Sequence, residues 1–177
     1  MGFRTYLVVR ELDEKSWELQ RDLVYEGNYD HFLVPTGFET DFASVPRMFW
    51  WLLPRHGRWT KAAVLHDFLW REAKKGNISF CDADGTFRKV MRELGVGYLR
   101  RRLMWAAVRS AGGVSKCGWK QLLQVVLIML LALPLLVPAV VVSVFLVVFW
   151  LVALIVYWIR RALGWEPTGP PRLLLRT

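Results

Sequence analysis

The stretch from Gln121 to Ile159 reads QLLQVVLIMLLALPLLVPAVVVSVFLVVFWLVALIVYWI, 39 residues without one charged side chain. A bilayer core of about 30 Å needs about 20 apolar helical residues. A helix buried in a soluble protein rarely reaches this length without a polar stripe, and the stretch is too long for a signal-peptide core. The sequence therefore predicts a transmembrane region at residues 121–159.

One crossing and two crossings are both compatible with this apolar run. At 1.5 Å per residue it would extend about 60 Å, twice the hydrocarbon thickness, and Pro134 and Pro138 divide it. Positive residues prefer the cytoplasmic side, which slightly favours a hairpin with both ends inside. The absence of a polar residue between the two prolines favours a single span instead. The basic flanks are Arg101, Arg102, Arg109, Lys116 and Lys120 before the run, and Arg160, Arg161, Arg172 and Arg176 after it.

The overall charge of +9 hides a strong asymmetry along the 177 residues. Residues 1–45 carry 4 basic and 9 acidic side chains, whereas residues 46–120 carry 16 basic and 5 acidic ones. A basic surface next to an apolar run favours membrane lipids as the partner and makes nucleic acid the weaker alternative. A hydrophobic share of 54% excludes a disordered chain, and two cysteines exclude a disulfide framework.

The N-terminal part predicts an α+β fold, with a small antiparallel sheet followed by three to four helices. Short β-rich segments between residues 3 and 38 are separated by Gly27-Asn28 and end at Pro35-Thr-Gly37. From Val45 onward the pattern becomes helical. The predicted helices are a short one capped by Ser44 with Pro46 in its first turn, then about 59–75, 82–94 and 98–112. The predicted parts are an α+β domain (1–113), a basic link (114–120), the transmembrane region (121–159) and a basic tail (160–177).

The candidate site residues are His66, Asp67, Asp84 and Asp41. His66 and Asp67 interrupt an otherwise apolar helix, Asp84 lies near the start of the next helix, and Asp41 lies on a loop. A buried imidazole that meets a carboxylate is a polarised general base. Carboxylates close to it are ligands for a hard cation such as Ca²⁺. The sequence thus predicts His66 and Asp84 as catalytic and Asp67 and Asp41 as metal ligands.

Simpler interpretations of the same residues stay open at this point. A histidine inside a helix is often a core residue hydrogen-bonded to a neighbour, and Asp82 is most simply a helix cap or dipole partner. Consecutive residues of a helix diverge by about 100°, so His66 and Asp67 are not expected to point at one atom. The segment from Asp82 to Gly85 does not match an EF-hand, because the glycine stands at the wrong position. We expect the basic helix around Arg100–Arg102 to lie on the membrane surface.

Three motifs in order resemble an uncharacterised family, domain of unknown function 1353, common in bacteriophage and prophage genomes. They are residues 34–47 (VPTGFETDFASVPR), 62–71 (AAVLHDFLWR), and Ala83-Asp84 followed by Phe87. The resemblance covers about residues 5–112 and implies a phage or prophage source and a small α+β domain. It carries no settled activity.

A more distant resemblance concerns chemistry. His66-Asp67, followed by Asp84 on a second helix, is similar to the paired catalytic helices of secreted phospholipase A2. That resemblance implies His66 as general base, Asp67 as calcium ligand and Asp84 as the residue that orients the histidine. The chain departs from the family in lacking the disulfides between the helices and the glycine-rich calcium loop before the histidine.

Two functions follow from these patterns. The first is a membrane-anchored phage protein, integral in the host bacterial inner membrane, that acts at the envelope on lipids or on other phage or host envelope proteins. The second is a calcium-assisted lipid or ester hydrolase held at its substrate by the same tail. The first makes His66 structural, and the second needs His66 bonded to Asp84 and open to a cleft.

Overall fold

The computed structural model describes residues 2–28, 30–43, 45, 47–54, 56–112, 118–165 and 169–172. Its architecture is α+β, as predicted, with two small antiparallel sheets in place of one. The first sheet has the order β1-β4-β5 and the second the order β2-β3-β6. The strands are β1 (Gly2–Phe3), β2 (Val9–Glu11), β3 (Trp17–Leu19), β4 (Leu23–Glu26), β5 (His31–Val34) and β6 (Glu39–Thr40).

Alternation along the strands places one face of each sheet in the core. In β4, Leu23 and Tyr25 are fully buried, while the residues between and after them are only partly covered. Leu23 pairs with Val34 of β5, which is also fully buried. In the second sheet, Leu19 of β3 and Thr40 of β6 are the buried residues. The two sheets therefore cover one hydrophobic core that the helices share.

Three helices complete the domain close to the predicted positions: α1 (Thr60–Lys74), α2 (Phe80–Glu93) and α3 (Tyr98–Gly112). The N-cap of α2 is Ser79, whose hydroxyl accepts a hydrogen bond from the Asp82 N–H. Asp82 is therefore not the cap; it lies in the first turn, where a carboxylate interacts favourably with the helix dipole. A 3₁₀ helix at Arg47–Phe49 stands where a short helix is predicted, and Ser44 and Pro46 lie outside the described residues.

The basic helix α3 is part of the packed fold, and its expected position on the membrane surface stays a prediction. It packs against α2 on one side and against α4 (Trp119–Ala132) on the other. Trp105 and Ala106 of α3 form a second buried cluster with Val125 of α4. Cys81 of α2 is disulfide-bonded, and Cys117 lies outside the described residues.

The apolar run forms one uninterrupted helical stretch, Trp119–Ala162, long and apolar enough to cross a membrane. A 3₁₀ turn at Leu133–Leu135 joins α4 to α5 (Leu136–Ala162). Leu133, Leu135 and Leu136 all keep right-handed helical backbone angles, so the chain does not reverse there. The structure thus has a single long helix in the apolar run. The hairpin that the charge pattern slightly favours would need two antiparallel helices instead. The number of crossings in a bilayer stays a prediction.

Candidate functional site

The packing of α1 on α2 brings His66 and Asp84 together. The Nε2 atom of His66 lies 2.8 Å from Oδ1 of Asp84, which is hydrogen-bond distance. Asp84 is only 1% exposed and His66 only 8% exposed. The imidazole also contacts the Phe87 ring, with ring centroids 4.8 Å apart. The predicted pair is therefore formed, in a largely water-excluded setting that strengthens its electrostatic interaction.

A third helix contributes a residue that the sequence reasoning did not include in the site. Arg109 of α3 is buried. Its Nε lies 3.2 Å from Oδ2 of Asp84, which is an ion-pair distance. The Nε–H bond of Arg109 is not directed at this oxygen, so the contact is an ion pair and not a hydrogen bond. Its terminal nitrogen donates a hydrogen bond to the carbonyl of Cys81 at 3.2 Å. Arg109 stands four residues after Trp105, and both side chains are buried on the face of α3 that turns toward the core.

Asp67 has a different environment from its neighbour in sequence. The buried Thr40, at the end of β6, donates its hydroxyl hydrogen to Oδ2 of Asp67 at 2.6 Å. The same Thr40 oxygen accepts the N–H of Phe42, whose φ of 60° is unusual for a residue other than glycine. Burial raises the pKa of Asp67 to about 7; the Thr40 hydrogen bond opposes the shift and the nearby Asp41 charge adds to it.

A cavity of about 450 Å³ lies beside this part of α1. His66 and Asp67 both border it, although they are consecutive on α1, and exposed Asp41 lies at its edge. The Nδ1 atom of His66 has no hydrogen-bond partner among the residues that the structure describes. Most of the remaining lining is apolar: Phe42, Ala43, Val45, Phe49, Leu53, Ala63, Trp70, Phe87, Met104, Ala107 and Val108. The cavity thus offers an apolar space with one imidazole and two carboxyl groups, those of Asp67 and Asp41, in its lining.

The donor set does not fit the calcium ion suggested by the phospholipase resemblance. Calcium takes six to eight oxygen ligands, commonly several carboxylates. Within the described ranges, no three His, Cys, Asp or Glu side chains come close enough together to hold a metal ion. One oxygen of Asp67 is already bonded to Thr40. We therefore derive no chemical step through a metal at Asp67 and Asp41.

Comparison with known proteins identifies the family. A family model described as "Protein of unknown function (DUF1353)" matches residues 17–108, more than half of the chain. The chain belongs to this family. No curated protein and no solved structure matches it. The matched DUF1353 range contains Thr40, His66, Asp67 and Asp84, but it ends before Arg109 and before the apolar helix.

The raised pKa of Asp67 predicts a pH dependence of stability. Its carboxyl group keeps its proton up to about pH 7 in the folded chain, but only to about 3.8 when unfolded. Between these two pH values, the unfolded chain binds fewer protons at Asp67 than the folded chain does. The contribution of Asp67 to the free energy of unfolding therefore falls as pH rises from about 4 to about 7 and is level above that. A shift of this size corresponds to about 4 kcal/mol, and the partial solvent exposure of Asp67 reduces our expectation to about 2 kcal/mol.

Asp67→Asn removes this titration while keeping an oxygen that accepts the Thr40 hydroxyl. Denaturant unfolding of the full chain in detergent, followed by tryptophan fluorescence, should show that the variant lacks the decrease between pH 4 and pH 8. Asp22→Asn is the matched control, because hydrogen bonds from Thr36 lower the pKa of this exposed group and so act with the opposite sign. Identical pH profiles for the wild type and Asp67→Asn would contradict the burial argument.

Proposed function

We propose that this DUF1353 protein is anchored in the bacterial inner membrane as an integral phage or prophage protein and acts at the host envelope. The observation that carries the proposal is the apolar helix Trp119–Ala162, only a small part of which packs against the rest of the chain. Leu131 and Phe149 remain 73% and 70% exposed. An exposed apolar surface of this extent is unfavourable in water and marks a membrane or partner contact.

Several features at the ends of this helix support a lipid environment. Trp119 lies at its start and Trp158 near its end, both largely exposed, where amphipathic rings suit the membrane interface. Arg160 and Arg161 follow directly in the last turn. Membrane lipids are therefore the first proposed partner, and other phage or host envelope proteins are the second.

Charged residues in the middle of the helix should prevent insertion. Val144 and Val148 are exposed and four residues apart, hence on one face. Each arginine placed near the centre of a span costs about 2.5–3.5 kcal/mol. We expect the wild-type chain to stay in the membrane pellet after an alkaline carbonate wash and the Val144→Arg/Val148→Arg variant to be released or degraded.

The matched control is Val144→Leu/Val148→Leu, which keeps the face apolar and should remain in the pellet. Release of the wild-type chain by the wash would show that the helix packs against a partner protein and would sink the membrane proposal. Retention of the double-arginine variant would place this part of the helix outside the hydrocarbon core.

A second candidate function, ester hydrolysis, is favoured by the His66–Asp84 geometry. His66 would take a proton from water as the water attacks an ester carbonyl, and Asp84 would stabilise the imidazolium that forms. As the ester C–O bond then breaks, the imidazolium would give this proton to the leaving alkoxide, which releases an alcohol and a carboxylic acid. The cavity beside His66 is lined mainly by apolar side chains, which suits the acyl part of a lipid or other ester. This version of the hydrolase needs no calcium.

Replacing the base tests this candidate. In detergent micelles, His66→Gln should lower the rate of release of fatty acid from a phospholipid or ester by about 10²–10⁴-fold. His31→Gln is the matched control: the same substitution at an exposed histidine on β5 that does not line this cavity. Circular dichroism of each variant separates loss of the base from loss of the fold.

Addition of a calcium chelator should leave the rate unchanged. If purified wild-type protein releases no product, or His66→Gln is as active as the wild type, the histidine is structural. If chelation abolishes the activity, calcium-assisted hydrolysis is the correct version.

A further inference from the structure

A cluster of cationic side chains surrounds a second, separate pocket. This basic pocket has a volume of about 330 Å³, lies between α2 and α3 and is lined by Gly85, Arg88, Lys89, Arg92, Arg101 and Arg102. None of these residues borders the His66 cavity. Five cations around one small space repel each other unless anions compensate them.

Most of this positive charge is not compensated within the part of the chain that the structure describes. Lys89 pairs with Asp30 at 2.6 Å. The four arginines of the basic pocket form no ion pair with a carboxylate among the described residues. Burial, followed by the charges of neighbouring arginines with Arg102 first, lowers the pKa of Arg88. The pocket is therefore electrostatically prepared for an anion.

Arg102 provides an independent observation. Its Nε is buried and has no hydrogen-bond partner in the described structure. A buried N–H without a partner costs free energy that a bound anion would recover. Planar guanidinium groups bind phosphate oxygens with paired hydrogen bonds, so phosphate is the anion that several arginines recognise best.

Arg102 also borders an apolar groove between α3 and α4. This groove has a volume of about 410 Å³, and its walls include Leu99, Leu103, Leu127 and Leu131. The basic pocket and the apolar groove thus meet at one side chain. Free phosphate would use only the pocket, and nucleic acid would leave the groove empty. A molecule with a phosphate at one end and a hydrocarbon chain at the other would use both.

We propose that the basic pocket and the apolar groove together form a binding site for one anionic phospholipid. The phosphate contacts Arg88 and Arg102, and an acyl chain lies in the groove between α3 and α4. This inference rests on the proposed membrane location only for its source of lipid, since the recognition itself can be measured in detergent solution.

Gly85 offers a test that leaves every arginine in place. A Cβ added at Gly85 would have no heavy atom within 4 Å, and any ordinary residue is a better helix former than glycine. Gly85→Glu adds a carboxylate at a residue that lines the basic pocket, from a Cβ position with open space around it, and Gly85→Ala is the matched control. A second variant, Arg88→Gln/Arg102→Gln, removes two phosphate ligands. Lys74→Gln/Lys75→Gln removes the same charge from the exposed end of α1.

The experiment is a titration of the detergent-solubilised full chain by native mass spectrometry. The probes are phosphatidylglycerol, phosphatidylcholine and inorganic phosphate. Both lipids carry the phosphate that contacts the arginines, but phosphatidylcholine adds a choline cation that the five cationic side chains of the basic pocket repel. We therefore expect phosphatidylglycerol to bind at least about tenfold more tightly than phosphatidylcholine, a difference of about 1.4 kcal/mol. Gly85→Glu and Arg88→Gln/Arg102→Gln should lose this preference, while Gly85→Ala and Lys74→Gln/Lys75→Gln keep it.

Equal affinity for the two lipids would overturn the proposal, as would full phosphatidylglycerol binding by Gly85→Glu. Inorganic phosphate that binds as tightly as phosphatidylglycerol would show a phosphate site to which the groove contributes nothing. An oligonucleotide that displaces the lipid at a lower concentration would identify nucleic acid as the ligand instead. Because these measurements use detergent, their failure is distinct from failure of the carbonate wash.

Discussion

The rest of the domain depends on the contacts that one buried carboxylate, that of Asp84, makes with His66 and Arg109. It stands on α2, meets His66 of α1 through one oxygen and faces Arg109 of α3 through the other. A buried carboxylate is very unfavourable unless it is paired. Keeping Asp84 paired therefore requires α1, α2 and α3 to stay in one arrangement. That arrangement fixes the imidazole on the wall of the apolar cavity. It also sets the position of α3, on which α4 packs.

The helix α3 connects the functional surfaces of the chain. Its buried residue Arg109 completes the Asp84 ion pair, its Arg102 borders the basic pocket, and its Trp105 packs on the beginning of the apolar helical stretch. A membrane location would bring phospholipid to both the basic pocket and the His66 cavity. One short helix therefore links a candidate headgroup site, a candidate catalytic pair and the proposed anchor.

Two of the helices and the His66–Asp84 pair could be predicted from the sequence. The boundaries of α1 and α3 follow from apolar periodicity and glycine stops, and the His66–Asp84 pair follows from two polar residues on otherwise apolar helix faces. The division into two sheets was not predicted, because pairing of β3 with β6 joins segments separated by about twenty residues. Arg109 was missed because a basic residue in a basic helix is indistinguishable from a solvated one until packing buries it. The sequence left both a hairpin and a single helix open at Pro134, because proline in a helix predicts a bend or an end equally well.

The most direct test of this account is a double-mutant cycle between Asp84 and Arg109, with the free energy of unfolding measured in detergent. Asp84→Asn alone removes the negative charge that the buried Arg109 faces, and we expect a loss of about 3–5 kcal/mol. Adding Arg109→Met removes the positive charge as well and should recover at least about 1–2 kcal/mol of that loss, giving a strong coupling between the two positions. Additive effects within about 0.5 kcal/mol would contradict the claim that this buried ion pair holds the three helices together.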